Sequence, residues 1–467
     1  MGGLPALGVG LTYWPRLGPF VEAYPESVDL LEFQPETVWL PPRAAGQACT
    51  YDASALDAVA ALPHPKIAHG VGFPVGGARR PDPAHVPPLR AVVDRIGAPW
   101  VSEHLAVNTA GGPEGEYCTA FLLPPAQTPE AAVTAGRHAR EVADALGRPF
   151  AVEPGVSYLR PRPGEMADGE YVATVLAESG CGLLLDLHNV WTNARNGRQP
   201  VDEFLAQVPL DRVWEVHVAG GSEYEGYWLD AHSDVVPDPV MALAREVMPD
   251  LPNVGALIFE LLPMFYDGVG PDRLRAQLDA LRGVWALRPP SCPALPARPV
   301  VTGSAVASTA WDDAIGGLAV GRDVPGDLAA SLAGDPGVRV FAMLLGELRG
   351  SMVARALKLT TRLLLLHLGE AGLRDLLAKY WATEYPRLFA VREAEGFAAF
   401  VRAHGPRLPH LDDVMTFELA LLNVVIDDAG ATIVFGAEPN EVLGALAAGR
   451  LPESPAAGSY PVVVAPG

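Results

Sequence analysis

Between residue 8 and about residue 285 the sequence alternates short β-type runs with helical stretches, and the β runs number eight: Gly8–Tyr13, Val28–Phe33, Lys66–His69, Trp100–Leu105, Pro149–Glu153, Leu183–Asn189, Val213–Ala219 and Ala256–Leu261. Such alternation predicts a parallel sheet, because a parallel neighbour is reached only through a crossover and a helix is the usual one. Eight strands in that length match the count and size of a TIM (β/α)8 barrel of the α/β class. The clearest helical stretch, Thr128–Leu146, opens on a residue able to cap and carries an apolar stripe.

A proline-rich run, Leu287 to Pro299, then breaks the pattern and reads as a linker. Beyond it Trp311–Val320, Asp327–Leu332, Ser351–Leu368, Ala371–Tyr380, Phe389–His404 and Leu411–Ile426 read as helices, with short β-like stretches at Ala431–Phe435 and Tyr460–Val464. The expected division is a barrel over 1–285, a linker over 286–300 and a mainly α-helical domain over 301–467.

Charge narrows the partners. With 34 Lys+Arg against 55 Asp+Glu the net charge is −21, which repels phosphate backbones and argues against nucleic acid. No run approaches the roughly 18 uncharged apolar residues of a membrane span; the best candidate, Leu363–Leu368, is short and flanked by Arg362 and Glu370. The N-terminal residues carry no basic stretch followed by an apolar one, so no signal peptide is expected. Cys49, Cys118, Cys181 and Cys292 show no CxxC spacing, which disfavours a thiolate zinc site or a disulfide framework and suits the reducing cytoplasm.

Polar residues accumulate where the strands end. His69 closes the third, His104 the fourth, Glu153 the fifth, Asp186 and His188 the sixth, His217 the seventh and Glu260 the eighth, and the LDAHSD stretch adds Asp230 and His232. In a parallel barrel these ends open onto one face, where TIM-barrel enzymes build their sites. Residues two apart in extended chain point the same way. Asp186 and His188 should therefore share a direction, as should Asp230 and His232, whereas Glu103 and Glu215 should face away. Four carboxylates and five imidazoles in one mouth are costly to bury together unless cations neutralise them. One ion needs only three or four protein ligands, so two or three are expected, with Glu153 as the natural bridge. Imidazole and carboxylate donors suit iron, manganese or zinc and disfavour copper and iron–sulfur chemistry.

Weaker signals are few. The glycine-rich Gly70–Gly76 lacks the spacing of a dinucleotide or phosphate loop and suits a close-approach turn at the mouth. Trp191, Tyr224, Tyr227 and Trp228 suit a substrate wall or loop packing. Cys118 has no His or Asp neighbour in sequence and reads as structural.

The motifs GVGL (8–11), LLEFQPE (30–36), AHGVGFPVG (68–76), SEHLA (102–106), VEPGVSYL (152–159), LLLDLHNVWTNARNG (183–197), EVHVAGG (215–221) and LDAHSDVV (229–236) resemble, in this order, the DUF692 family of multinuclear non-heme iron-dependent oxidases (MNIO), which include the methanobactin-biosynthesis oxidase subunit. That family is similar to the xylose isomerase-like and endonuclease IV-like TIM barrels. The resemblance implies one iron on His69, His104 and Glu153, a second on Glu153, Asp186, His217 and Glu260, and a third on His188, Asp230 and His232, with Asn189 orienting the ligands. Asp186, His217 and Glu260 would then lie closest to the chemistry. Departures fall at Thr37 and Pro154, where the family usually has Asn, and at Phe73-Pro74, where a Ser-Leu pair is common.

The resemblance further implies an O2-using oxidoreductase with two or three iron ions (Fe2+/Fe3+) that modifies cysteines of a ribosomally made precursor peptide. Tyr380–Val424 resembles the DUF2063-type helical partner proteins that bind such peptides, so the partner function is expected in cis. The alternative is a metal-dependent hydrolase or isomerase of the endonuclease IV or xylose isomerase type.

Overall fold

A computed structural model describes residues 4–43, 47–113, 115–290, 306–427 and 430–465. All eight expected β runs become strands: β1 (Gly8–Thr12), β2 (Leu30–Phe33), β3 (Lys66–Gly70), β4 (Val101–His104), β5 (Phe150–Glu153), β6 (Gly182–Asp186), β7 (Val213–Ala219) and β8 (Ala256–Glu260). They pair in parallel with their sequence neighbours, and β1 closes onto β8, Gly8 opposite Ala256. The result is a TIM barrel. Helices and barrel wall share one large apolar core that includes Val9, Leu31, Val152, Leu185, Val216 and Leu257. The stretch read as helical from Thr128 is one: Thr128 accepts from Ala131 N, and Gly147 at φ 66 ends it.

Inside the barrel the side chains change character with height. Leu30, Ile67, Trp100, Ala256 and Ile258 form an apolar plug at the N-terminal ends of the strands. Two residues further along, the inward positions are Glu32, Ser102 and Glu260, and the register sets His104 beside Glu153 and Asp186 beside His217. A period of two in a closed sheet therefore stacks a polar floor on an apolar one.

Elements absent from the sequence reading shape the mouth. Val107–Gly112 pairs with Gly115–Leu123, and Ser222–Tyr224 with Tyr227–Leu229, as antiparallel hairpins. The sixth run also ends sooner than expected. Asp186 closes β6 and caps helix α1 (Leu187–Arg195) by accepting from Asn189 N, so His188 stands in a helical first turn.

The C-terminal region is mainly helical. Of the expected linker, residues 291–300 lie outside the described residues, as does Cys292; Cys49 and Cys118 are free thiols. Helices α2 (Ala310–Ala319) and α3 (Pro336–Ala356) pack onto the barrel mouth, where Trp311, Ile315, Phe341 and Leu345 share an apolar cluster with Val107, Leu123, Tyr158 and Leu229. A Cβ on Gly337 would stand 2.2 Å from the Tyr158 carbonyl, which leaves room only for glycine. Helix α3 begins at Pro336, well before the expected Ser351, because it is buried on several sides and shows no single apolar stripe. A short helix, Asp327–Ala333, joins the mouth cluster through Ala329 and Leu332, and a second cluster, from Val353 to Val464, holds the later helices and an antiparallel pair, Ala431–Ala437 with Ala457–Val464. Among the described residues no single helix is long and apolar enough to cross a membrane.

Candidate metal centre

Glu153 sits at the middle of the polar floor. Its Oε2 lies 3.2 Å from His69 Nε2 and 3.2 Å from His104 Nε2, yet makes no hydrogen bond with either. Each ring is held from behind: His69 Nδ1 faces Ser102 Oγ at 3.0 Å and His104 Nδ1 faces the Gly70 carbonyl at 3.0 Å. That is the arrangement of metal-ligating histidines, one nitrogen fixed by an outer partner and the other turned inward. Asn189 Nδ2 donates to the remaining oxygen, Glu153 Oε1, at 3.2 Å.

A second group adjoins the first. His217 Nδ1 lies 3.2 Å from Glu260 Oε2 without a hydrogen bond. Asp186 uses Oδ1 as the helix cap and leaves Oδ2 buried and unpartnered. Ligand atoms converge within 4.8 Å in four sets: His69, His104 and Glu153; His69, His217 and Glu260; Glu153, Asp186 and His217; and Glu32, Glu215 and His217. Shared members make this one continuous centre.

Asp230 and the last two histidines stand at its rim. Asp230 Oδ1 lies 3.0 Å from His188 Nδ1 and 2.9 Å from His232 Nε2, and His232 Nε2 reaches Glu260 Oε2 at 3.4 Å. These residues do not meet by the expected route. Neither pair is extended, since His188 is helical and His232 lies at φ 45. His188 differs from the other histidines in that its Nε2 accepts the Trp228 indole N–H at 3.0 Å. Both of its nitrogens therefore have protein partners.

Of the two glutamates expected to face away, one needs correction. Glu215, expected to face away, is fully buried and points inward, with Oε1 3.3 Å from His217 Nε2 and Oε2 accepting from Trp100 Nε1 at 2.9 Å. It lies two residues from His217, so the period of two puts it on the same face. Glu103 does turn from the floor, but it is buried and accepts from the Phe73 and His104 amides. Glu32 and Glu36 were not singled out. Glu32 Oε2 meets His217 Nε2 at 2.8 Å, while Glu36 accepts from the Val71 and Gly72 amides. The glycine run wraps around these acids: a Cβ on Gly70 would lie 2.3 Å from Glu103 Oε2. Trp191 and Trp228 meet edge to face at 5.3 Å on the mouth rim, with the Arg195 guanidinium over both rings. Cys118 is burdened by burial, which lifts its thiol to about 11.

Electrostatics show what the centre requires. Burial pushes Glu153 up to about 8, against the pull of His104 and His217, and pushes Asp186 up to about 6. Burial opposes a charged His104, but Glu153 and Glu103 outweigh it and raise the ring to about 10. Burial and its neighbour His104 drive His69 well down. Protons alone thus distribute unevenly over groups that all aim at one space. Among the groups in and beside the centre, five buried atoms, Glu153 Oε2, Asp186 Oδ2, Asn189 Oδ1, His217 Nδ1 and His232 Nε2, have no hydrogen-bond partner. Buried polar atoms seldom go unpaired. Cations with oxygen and imidazole preference fit them, whereas soft-ligand metals do not.

The family profile described as "RiPP precursor modification enzyme MbnB/TglH/ChrH" matches residues 7–261, the whole barrel through β8. The chain belongs to this family. Its members are described as enzymes that modify precursors of ribosomally synthesised, post-translationally modified peptides. Curated relatives carry only the name "UPF0276 protein". One from Chromobacterium violaceum is 40% identical over 39% of this chain and 65% of its own length, and one from Caulobacter vibrioides is 34% identical over 48% and 77%. The matched stretch thus spans slightly less than two thirds of the first relative. Among solved structures, endonuclease IV from Thermus thermophilus is similar at 16% identity and TM-score 0.37, covering 60% of this chain and 99% of that one. D-Psicose 3-epimerase from Clostridium cellulolyticum is similar at 10% identity and TM-score 0.39, covering 61% and 99%. At those scores they add nothing to the barrel already defined by the strand order.

Proposed function

We propose that this chain is a multinuclear non-heme iron-dependent oxidase that uses O2 to modify cysteine residues of a ribosomally made precursor peptide. One observation carries the reading: Glu153, Asp186 and His217, each with a buried donor atom that has no hydrogen-bond partner, converge at the barrel mouth of a chain whose family modifies such peptides. In this reading His69, His104 and Glu153 hold one iron, and Glu153, Asp186, His217 and Glu260 hold a second. Asp230 and His232 hold a third, with His188 beside them.

When bound, iron supplies Lewis acidity and one-electron exchange with O2. The chain's own groups do the rest. Glu153 joins two ligand sets, Ser102 and the Gly70 carbonyl keep Nε2 of His69 and His104 inward, and Glu32 with Glu215 keeps Nδ1 of His217 inward. Asp186, His217 and Glu260 line the part of the floor that a substrate thiol would approach, and Trp191 and Trp228 shield its rim from water. Helices α2 and α3, seated on that mouth, support the proposal that residues 301–467 present the peptide in cis. The free thiols of Cys49 and Cys118 suit a reducing compartment such as the cytoplasm.

The test is iron-loaded protein given O2 and a co-encoded Cys-containing peptide. Iron-dependent O2 consumption with a mass change at cysteine is expected. Protein that carries only zinc and consumes no O2 with any such peptide would overturn the reading.

A further inference from the structure

His188 is fully buried, and its two ring nitrogens have different partners. An indole N–H can only donate, so Nε2, which receives the Trp228 N–H at 3.0 Å, must offer its lone pair. A neutral imidazole then carries its hydrogen on Nδ1, and Nδ1 faces Asp230 Oδ1 at 3.0 Å. The reverse tautomer would set two donors face to face across the Trp228 contact. In the observed arrangement the only lone pair of the ring is spent on the tryptophan, which leaves none for a metal.

We propose that His188 is a positioning residue and not a metal ligand: Trp228 fixes its tautomer, and its Nδ1–H holds Asp230 at the rim of the centre. This rests on the reading of Asp230 and His232 as metal ligands. Each member is anchored from a separate element. Trp228 belongs to the hairpin strand Tyr227–Leu229, and its backbone N–H donates to Asn196 Oδ1 at 2.9 Å at the end of α1. His188 stands in the first turn of α1. Asp230 leaves the hairpin, with its own N–H donated to Tyr158 Oη at 3.2 Å. Asp230 needs such support because it follows the hairpin in irregular chain, next to His232 at φ 45. The hydrogen bond accepted on Oδ1, the oxygen that also faces His232 Nε2 at 2.9 Å, orients the carboxylate, as outer partners do for ligating carboxylates.

The donor role and the ligand role separate on substitution. In His188→Asn the amide N–H takes nearly the place of Nδ1–H, so a donor survives, whereas His188→Ala has none. Metal-free full-length protein is titrated with Zn2+ or Fe2+ under anaerobic conditions, and ions per chain and the affinity of the weakest one are read by metal analysis and chelator competition. His188→Ala and Trp228→Phe should each weaken that ion about tenfold or more, a usual scale for outer partners, and His188→Asn should restore it to within a few-fold. Nitrogen-15 spectra of histidine-labelled, zinc-loaded protein should show one histidine protonated at Nδ1 with an unprotonated, hydrogen-bonded Nε2, lost in His188→Asn and altered in Trp228→Phe. If His188→Asn loses the ion as fully as His188→Ala, or if Trp228→Phe changes neither affinity nor spectrum, the proposal is wrong. Asp230→Ala is the control for the underlying reading. Should it keep every ion, Asp230 is no ligand and the centre itself is misread; should it lose one while His188→Ala keeps full affinity, only the positioning role fails.

Discussion

Glu32 Oε2 lies 2.8 Å from His217 Nε2, on the side of the ring opposite Glu260, and both side chains are fully buried. The other oxygen of Glu32 accepts from Thr12 Oγ1 at 2.8 Å, so the carboxylate links β1, β2 and β7 beneath the metal floor. Burial and the neighbouring acids raise Glu32 to about 8 even against the pull of His217. Glu32→Leu leaves the buried Thr12 hydroxyl without its partner and the His217 ring with Glu215 Oε1 alone, at 3.3 Å, and should cost about 1–3 kcal/mol, the scale of an unsatisfied buried polar group. Glu32→Gln, which keeps the shape, should fold, but should lower metal affinity or activity about 10–100-fold. Thermal melts and chelator competition on the two variants check this.

Glu153 belongs to two of the ligand sets, whereas His104 belongs to one. Glu153→Gln should therefore remove more metal per chain than His104→Ala, since Glu153 joins the His69–His104 set to the Asp186–His217 set and His104 serves the first alone. Elemental analysis of both variants, purified in parallel, gives the comparison. Equal losses would mean that Glu153 does not bridge.

Seating of the C-terminal helices on the mouth depends on close contact at Tyr158. Phe341 lies 5.1 Å from the Tyr158 ring, and Gly337 has no room for a Cβ against the Tyr158 carbonyl. Gly337→Ala should destabilise by about 1–3 kcal/mol through overpacking and Phe341→Ala by about 3–5 kcal/mol through the cavity it leaves. Calorimetric melts read both. Because Tyr158 also holds the Asp230 amide, the same variants should weaken the outermost metal ion.

The joint between barrel and helices should respond to pH. Asp312, on α2, accepts from Ala78 N at 2.8 Å, and burial lifts its carboxyl from 3.8 to about 6. The folded chain therefore binds more protons than the unfolded chain between those values, so this group's contribution is present at the acid end and is lost as pH rises through about 6. Asp312→Asn keeps an acceptor for Ala78 and removes the titration. Its stability relative to the parent should rise by about 1–3 kcal/mol from pH 4 to pH 7, read by denaturant titration at each pH.

Much of this was legible in the order of the residues. Eight apolar runs separated by helical stretches leave few alternatives to a parallel barrel, and His or acid at strand ends such as KIAHG and FAVE marks the mouth. What sequence spacing missed lies where local geometry departs from regular strands. Asp186 doubles as a helix cap, so His188 reaches Asp230 from a helical turn. Glu32 was hidden because it sits inside the apolar run LLEF, one layer below the strand ends. Period-two reasoning applied to Glu215 and His217 together would have found the inward acid. Trp228 sits on a hairpin whose three-residue strands give almost no pattern.

The most direct test of the central claim is anaerobic iron quantitation of the full chain, followed by O2 uptake with a co-encoded cysteine peptide. Two or three irons per chain, with O2 uptake that requires both iron and the peptide's cysteine and disappears in Asp186→Ala, is the predicted result. Protein that binds no iron, or that takes up no O2 with the peptide at full iron loading, would contradict it.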